Sequence, residues 1–242
     1  MENATIAALS KQIALARALD AAANNVANQT TAGYKAERVE FREYLANINT
    51  EGGADAVSLV HDVDSFTDFS AGGLETTRAP LDFAIDGEGF FAVETDAGVR
   101  YTRDGHFSLN AFGELVNRDG ALVLGQNGAP ILMDPEAGPL SLSPEGELQQ
   151  DGTPIAELGV FSFAEPRVLR REGANLFRAV EEPEAARGAR IRQGFIETSN
   201  VSPVAMMTRM IDILRAYENA AEVANTSTAL ERDAVATLLE EA

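Results

Sequence analysis

The sequence predicts an α+β fold in which N- and C-terminal helices pair in a coiled-coil-like layer around a central all-β domain of sandwich or barrel type. Three observations carry that expectation. Both ends place apolar residues at spacings of three and four, the middle alternates short apolar runs with turn residues, and most of the negative charge lies in that middle. The predicted layout is terminal helices over 1–35 and 198–242, extended connector over 36–80 and 181–197, and a β domain over 81–180.

The first helix rests on two apolar rows, Ile6, Leu9, Ile13 and Ala16 on one and Leu15, Leu19, Ala22 and Val26 on the other. Two rows call for two partners. Asn24, Asn25, Asn28, Thr30, Thr31 and Gly33 then break the pattern, because short polar side chains compete for helix hydrogen bonds and glycine permits a left-handed stop. The helix should end near Asn28. Between Asn47 and Thr77 the chain is rich in Gly, Ser and Asp with little period, and reads as connector or loop.

Strand-like runs follow at 81–85, 90–93, 99–102, 107–109, 114–116 and 121–124, and more weakly at 155–163 and 176–179. Their spacing is that of an all-β sandwich or barrel. Asp-Gly pairs at Asp86-Gly87, Asp104-Gly105, Asp119-Gly120 and Asp151-Gly152 suit the positive φ of hairpin turns. Two of them belong to a repeated tripeptide, Arg103-Asp104-Gly105 and Arg118-Asp119-Gly120, which reads as hairpin tips.

The second helix should begin at Ser202-Pro203, a capping hydroxyl followed by proline at the first helical position, and run to about Leu239. Met206, Met210, Ile213, Tyr217, Ala220, Ala224, Ser227, Glu231, Ala234 and Leu238 form a heptad seam. A second row of Met207, Ile211, Leu214 and Ala221 widens the apolar face beyond what one partner helix covers.

Composition narrows the function. The chain has 242 residues, a net charge of −19 and no cysteine. Residues 1–45 hold five acidic and five basic groups, 46–195 hold 25 and 11, and 196–242 hold eight and three. Such a balance lacks the basic footprint that nucleic acids and anionic membranes require. The absence of cysteine removes disulfides, thiolate metal sites and cysteine nucleophiles, and fits passage through an oxidising compartment. No apolar run is long enough to span a bilayer, and the start Met1-Glu2-Asn3 lacks a basic n-region, so neither membrane insertion nor a cleavable signal peptide is expected.

No site chemistry emerges. Gly87, Gly89 and Ala92 match a dinucleotide fingerprint, but Phe90-Phe91-Ala92-Val93-Glu94 reads as a strand where a helix is needed. Asp62, Asp64 and Asp68 resemble the start of a calcium loop, with Phe66 and Thr67 at positions that need an oxygen ligand and a glycine. His61 and His106, the only histidines, have no partner at ligand spacing. A glycosidase pair of carboxylates would lack a tryptophan platform for its sugar. Asn-x-Ser/Thr triplets at Asn28, Asn200 and Asn225 read as caps and helix faces. The expectation is no catalytic residue, no metal and no cofactor.

Three separated segments carry a resemblance. Residues Asn25-Val26-Ala27-Asn28-Gln29-Thr30-Thr31-Ala32-Gly33-Tyr34-Lys35 resemble the signature Asn-Leu-Ala-Asn-x-x-Thr-x-Gly-Tyr/Phe-Lys of bacterial flagellar rod and hook proteins. Gln193 to Pro203, with Met210-Ile211 and Arg215-Ala216-Tyr217-Glu218, resembles the matching C-terminal signature, and Leu81 to Phe91 with Tyr101 to Gly105 resembles the central β segment. Length, the N-terminus and the stretch 107–128 look most like a proximal-rod member. The resemblance implies a structural axial subunit of the basal body, exported through the flagellar type III apparatus and built into a periplasmic tube. Its implied partners are other rod subunits and the export apparatus. The residues expected to carry assembly are Asn25, Asn28, Gly33 and Tyr34, with Met206, Met210, Ile213, Leu214 and Tyr217 as buried knobs. Two other readings stay open, a distal-rod or hook subunit and, from another class, a soluble secreted acidic binding protein with a cationic ligand.

Overall fold

The computed structural model describes residues 2–50, 53–143, 146–173, 175–186 and 188–240, and within them the side chains of 2–4, 42–63 and 231–240 are outside the description. Glu231, Ala234 and Leu238 of the predicted seam therefore lie outside the described side chains, as do His61 and Asp62. The fold is α+β. The chain divides into two compact units, a helical unit of Met1–Ala27, Glu37–Phe66 and Ser202–Ala242 and a β unit of Asn28–Ala36 and Thr67–Val201.

The helical unit contains α1 (Glu2–Ala27), α2 (Pro203–Glu240) and a pair of long strands, β1 (Glu37–Thr50) and β2 (Gly53–Thr67). Both helices end close to where cap chemistry predicts. Pro203 opens α2, and the amide of Met206 donates to the Ser202 carbonyl at 2.9 Å. The helices run antiparallel, since Thr5 near the start of α1 donates to Ser227 far along α2 at 3.0 Å. Leu15, Ala18 and Ala22 pack with Ile213 and Ala220, flanked by Met206, Met210 and Val39.

The stretch 36–80, expected as connector, instead contains β1, β2 and a short strand at Leu74–Thr76. Its Gly, Ser and Asp follow no strand period, and the strands there are set by their pairing with each other and with Phe195–Glu197. The stretch 181–197 likewise supplies sheet strands. Arg190–Gln193 pairs with Phe83–Asp86, and Phe195–Glu197 pairs with Leu74–Thr76, both antiparallel. Such short strands are positioned by distant partners and leave almost no periodic signal of their own. Residues 28–36, predicted with the helices, fold with the β unit.

Among the described residues the largest sheet has nine strands, with Phe90–Thr95 at its centre between Gly98–Thr102 and Leu122–Leu124. This strand is buried on both faces, which explains its unbroken apolar run. Phe91 and Val93 enter one core with Phe83, Phe107, Leu115 and Leu148, while Phe90 and Ala92 enter another with Tyr101, Phe163 and Phe177. Edge-to-face rings knit each core, Phe91 on Phe107 at 5.3 Å and Tyr101 on Phe163 at 4.8 Å. Burying each such phenylalanine contributes about 1.5–3 kcal/mol.

The Asp-Gly pairs divide into two kinds. Asp119-Gly120 and Asp151-Gly152 close hairpins, and Asp151 and Gly152 both hold positive φ, at 50° and 76°. Asp86-Gly87 and Asp104-Gly105 join strands that pair elsewhere, so they are not hairpin tips. Gly105 is required by proximity, because a β-carbon there would lie 1.7 Å from the Phe83 carbonyl oxygen. Gly105→Ala should therefore cost about 3 kcal/mol or more. Gly120→Ala should cost only about 1–2 kcal/mol, since its φ of +84° is strained but its β-carbon would meet nothing within 4 Å. Urea unfolding of the two variants checks the ranking, and equal losses would show that the Phe83–Gly105 approach relaxes freely.

Candidate functional site

The helical unit presents apolar side chains in two ways. The contact between the helices within the chain joins Leu15, Ala18 and Ala22 of α1 to Ile213 and Ala220 of α2, with Leu19, Met206 and Met210 beside them. Outside it, Ile6, Leu9 and Ile13 line α1 with about half of their surface exposed, and Val204, Met207, Ile211 and Leu214 line α2 at spacings of three and four. Of the predicted knobs, Ile213 is buried between the helices and Met206 and Met210 flank it. Leu214 and Tyr217 lie outside this contact, 41% and 38% exposed.

The end of α1 is fixed by an asparagine acting as a strand partner. Asn25, 1% exposed, donates from Nδ2 to the Glu37 carbonyl at 2.7 Å and accepts the Glu37 amide at Oδ1 at 2.8 Å. A side-chain amide thus satisfies both backbone groups that open β1. Asn28 accepts the amide of Thr31 at its carbonyl, 3.1 Å away. Gly33 has φ +67°, and a β-carbon on it would lie 2.3 Å from the Asp104 nitrogen. Only glycine meets both demands. Tyr34 is buried beneath the Arg171 guanidinium, 4.7 Å from its ring, and Arg171 donates to the Lys35 carbonyl.

The chain passes between the units after residues 27, 36, 66 and 201. Within the β unit one carboxylate ties together three segments that lie far apart in the sequence. Glu197, 1% exposed, accepts from Lys35 Nζ at 2.6 Å and from the Gly72 amide at 2.8 Å through Oε1, and from Arg103 Nη1 at 3.1 Å through Oε2. Lys35 also donates to the Ser70 carbonyl and Arg103 to that of Gly87, at 2.7 Å and 2.9 Å. Burial pulls the pKa of both cations below its ordinary value while Glu197 opposes the shift. Asn200 completes the arrangement, accepting the Ala36 amide at 2.7 Å and donating to the Asp68 carbonyl at 2.8 Å.

Of the predicted residues, Gly33 and Tyr34 belong to the β unit with Lys35 and Glu197, and Asn25 belongs to the helical unit. Lys35, Arg103, Arg171, Glu197 and Asn200 were not predicted as site residues. Lys35, Glu197 and Asn200 lie inside the two terminal signature segments, which was the available signal. Arg103 corrects the reading of the tripeptide: it is buried on Glu197, whereas Arg118 of the second copy is about half exposed. Identical tripeptides can differ completely in burial because the surrounding strands decide it. His106 lies elsewhere, its Nδ1 2.8 Å from Asp82 Oδ1.

Removing the carboxylate charge leaves two buried cations without their hydrogen-bonded counter-charge. Glu197→Gln should destabilise the chain by about 3–5 kcal/mol. Adding Lys35→Met to it should recover part of that loss, a non-additivity that a double-mutant cycle in urea reads directly. Strictly additive losses would mean that Lys35 and Glu197 act independently.

Residues 84–150 match the family described as flagellar hook protein FlgE/F/G D1 domain, and residues 192–236 match the flagellar basal body rod FlgEFG protein C-terminal family. The chain is 37% identical over 238 residues to the flagellar basal-body rod protein FlgF of Caulobacter vibrioides, covering 97% of both chains. It is 37% identical over 241 residues to FlgF of Mesorhizobium japonicum, covering 98% of both. Against the flagellar basal-body rod protein FlgG of Bacillus subtilis it is 30% identical over 246 residues, covering 90% of this chain and 92% of the relative.

Proposed function

From the premise that this chain belongs to the FlgF family of flagellar basal-body rod proteins and is a structural subunit of the rod, we propose that it polymerises through its terminal helices at the proximal level of the rod. The observation that carries this reading is the pair of exposed apolar rows, Ile6, Leu9 and Ile13 on α1 and Val204, Met207, Ile211 and Leu214 on α2. Each row repeats at helical spacing and extends along its helix, as a helix-to-helix contact requires. A neighbouring subunit offering equivalent rows would cover them, and repetition of a heterologous contact that does not close yields a filament.

In this reading the protein transmits torque by packing and performs no reaction. The helices leave apolar rows uncovered and gain order from neighbours, which suits a chain exported through the flagellar type III apparatus in an unfolded form. Its partners are other axial subunits and that apparatus, and its final place is the periplasmic part of the basal body. Asn25, Asn28, Gly33 and Tyr34 set where α1 ends, and Met206, Met210 and Ile213 hold the two helices together. Leu214 and Tyr217 face the neighbouring subunit.

The paired substitution Ile211→Asp with Leu214→Asp tests the reading. Both positions are about half exposed, so the chain should keep its stability to within about 1 kcal/mol. Buried against a neighbour, the two carboxylates would have no partners, and basal bodies should lack this subunit and stop growing at its level. Normal rods containing the double variant would overturn the helical packing.

A further inference from the structure

The β unit exposes Phe112 at 80%, Leu132 at 62% and Ile155 at 37%, and all three line one open cleft of about 960 Å³. The charged side chains on that cleft are Asp134, Glu136 and Asp151, and among the described residues no Lys or Arg lines it. Solvent-facing aromatic and aliphatic groups gathered in one place, with polar groups at the edge, are the usual composition of a recognition surface.

The cleft is held in shape by side chains. Asn110 Oδ1 accepts the amides of Phe112 and Glu114 at 2.9 Å and 3.0 Å, and its Nδ2 donates to Glu114 Oε2 at 2.8 Å. Gly113 has φ +80°, and a β-carbon on it would lie 2.3 Å from the Met133 carbonyl oxygen. Phe112 thus projects from a braced turn that packs against the opposite wall. On the far side Gln150 accepts the Asp134 amide at 3.2 Å and donates to the Asp134 carbonyl, fixing the loop that carries two of the carboxylates. A preorganised cleft loses little conformational freedom when it is filled.

We propose that this cleft docks a cationic polypeptide segment that places an apolar side chain between Phe112, Leu132 and Ile155 and its lysines or arginines on Asp134, Glu136 and Asp151. Charge decides the occupant. The region 46–195 holds 25 acidic groups against 11 basic ones, so the β unit of a second copy brings like charge to a rim that has no cation. Attributing the segment to another basal-body component rests on the rod reading.

The full-length chain is titrated with acetyl-Lys-Leu-Phe-Arg-Lys-amide and with acetyl-Glu-Leu-Phe-Glu-Glu-amide while the methyl NMR signals of Leu132 and Ile155 are followed. Saturable shifts are expected with the cationic peptide in the range of about 1 mM, with at least about tenfold weaker binding of the anionic one. Phe112→Ser should weaken binding at least about tenfold. Asp134→Asn with Glu136→Gln and Asp151→Asn should weaken it about tenfold and remove its salt dependence. Equal binding of the two peptides, or no saturation by about 10 mM, overturns the docking site. In cells, p-benzoylphenylalanine at position 112 should crosslink to a segment that carries Lys or Arg beside an apolar residue. Crosslinks only to the β unit of another copy, or none from a subunit that has entered the rod, overturn the docking site and leave the rod reading intact. Failure of the chain to enter basal bodies counts against the rod reading, while the peptide titration still decides the cleft.

Discussion

The β unit depends on the Glu197 carboxylate more than on any other single group. It is buried and meets segments that lie far apart in the sequence, namely Lys35, Gly72 and Arg103. A carboxylate at that depth with one partner missing would be strongly unfavourable, so the three segments must arrive together. Buried ion pairs contribute little to stability compared with apolar packing of the same volume. What this one adds is direction. Hydrogen bonds from Nζ, a main-chain amide and a guanidinium admit one arrangement of the strands, whereas apolar contacts would tolerate sliding. Asn200 and Asn25 act in the same manner, each replacing a strand neighbour with a side-chain amide.

The two units divide the physical work. In the β unit, phenylalanines pack on both faces of one central strand and supply two cores. In the helical unit the contact between α1 and α2, built on Leu15, Ala18, Ala22, Ile213 and Ala220, takes up only part of the helices' apolar surface. Large side chains do exist on these helices, but Ile6, Leu9, Ile13, Met207 and Ile211 lie outside the contact. Apolar area on the helices is therefore left exposed instead of being buried between them, the opposite of what a self-contained helical hairpin shows.

Periodicity made the helices and most central strands legible, because repeated burial on one face leaves a repeated residue type. The strand Phe90–Thr95 was visible as an apolar run, and the caps around Asn28 and Pro203 were visible from residue chemistry. Burial on both faces also explains why that run could not indicate which side faced which core. The β1–β2 ribbon was not legible, since its apolar residues follow no sustained alternation, and Arg190–Gln193 was not, since its place depends on Phe83–Asp86 more than a hundred residues earlier. The junction was half legible. Lys35 and Glu197 stood in recognisable segments, but nothing in a linear sequence reveals that a lysine and a glutamate 162 positions apart share a hydrogen bond.

The charge distribution then bears on how copies can approach one another. With 25 acidic and 11 basic groups over 46–195, the middle of the chain repels its own kind, and the N-terminal 45 residues, five against five, do not. Salt limits the reach of that repulsion to about 8 Å at physiological ionic strength. Repulsion over so short a distance cannot keep subunits apart in solution, and it acts only where two acidic surfaces are about to touch. It leaves the near-neutral surface of α1 free to associate and penalises contact between acidic faces. An acidic exterior thus works as a filter on contact geometry, favouring neutral apolar rows and cationic partners over a second acidic surface.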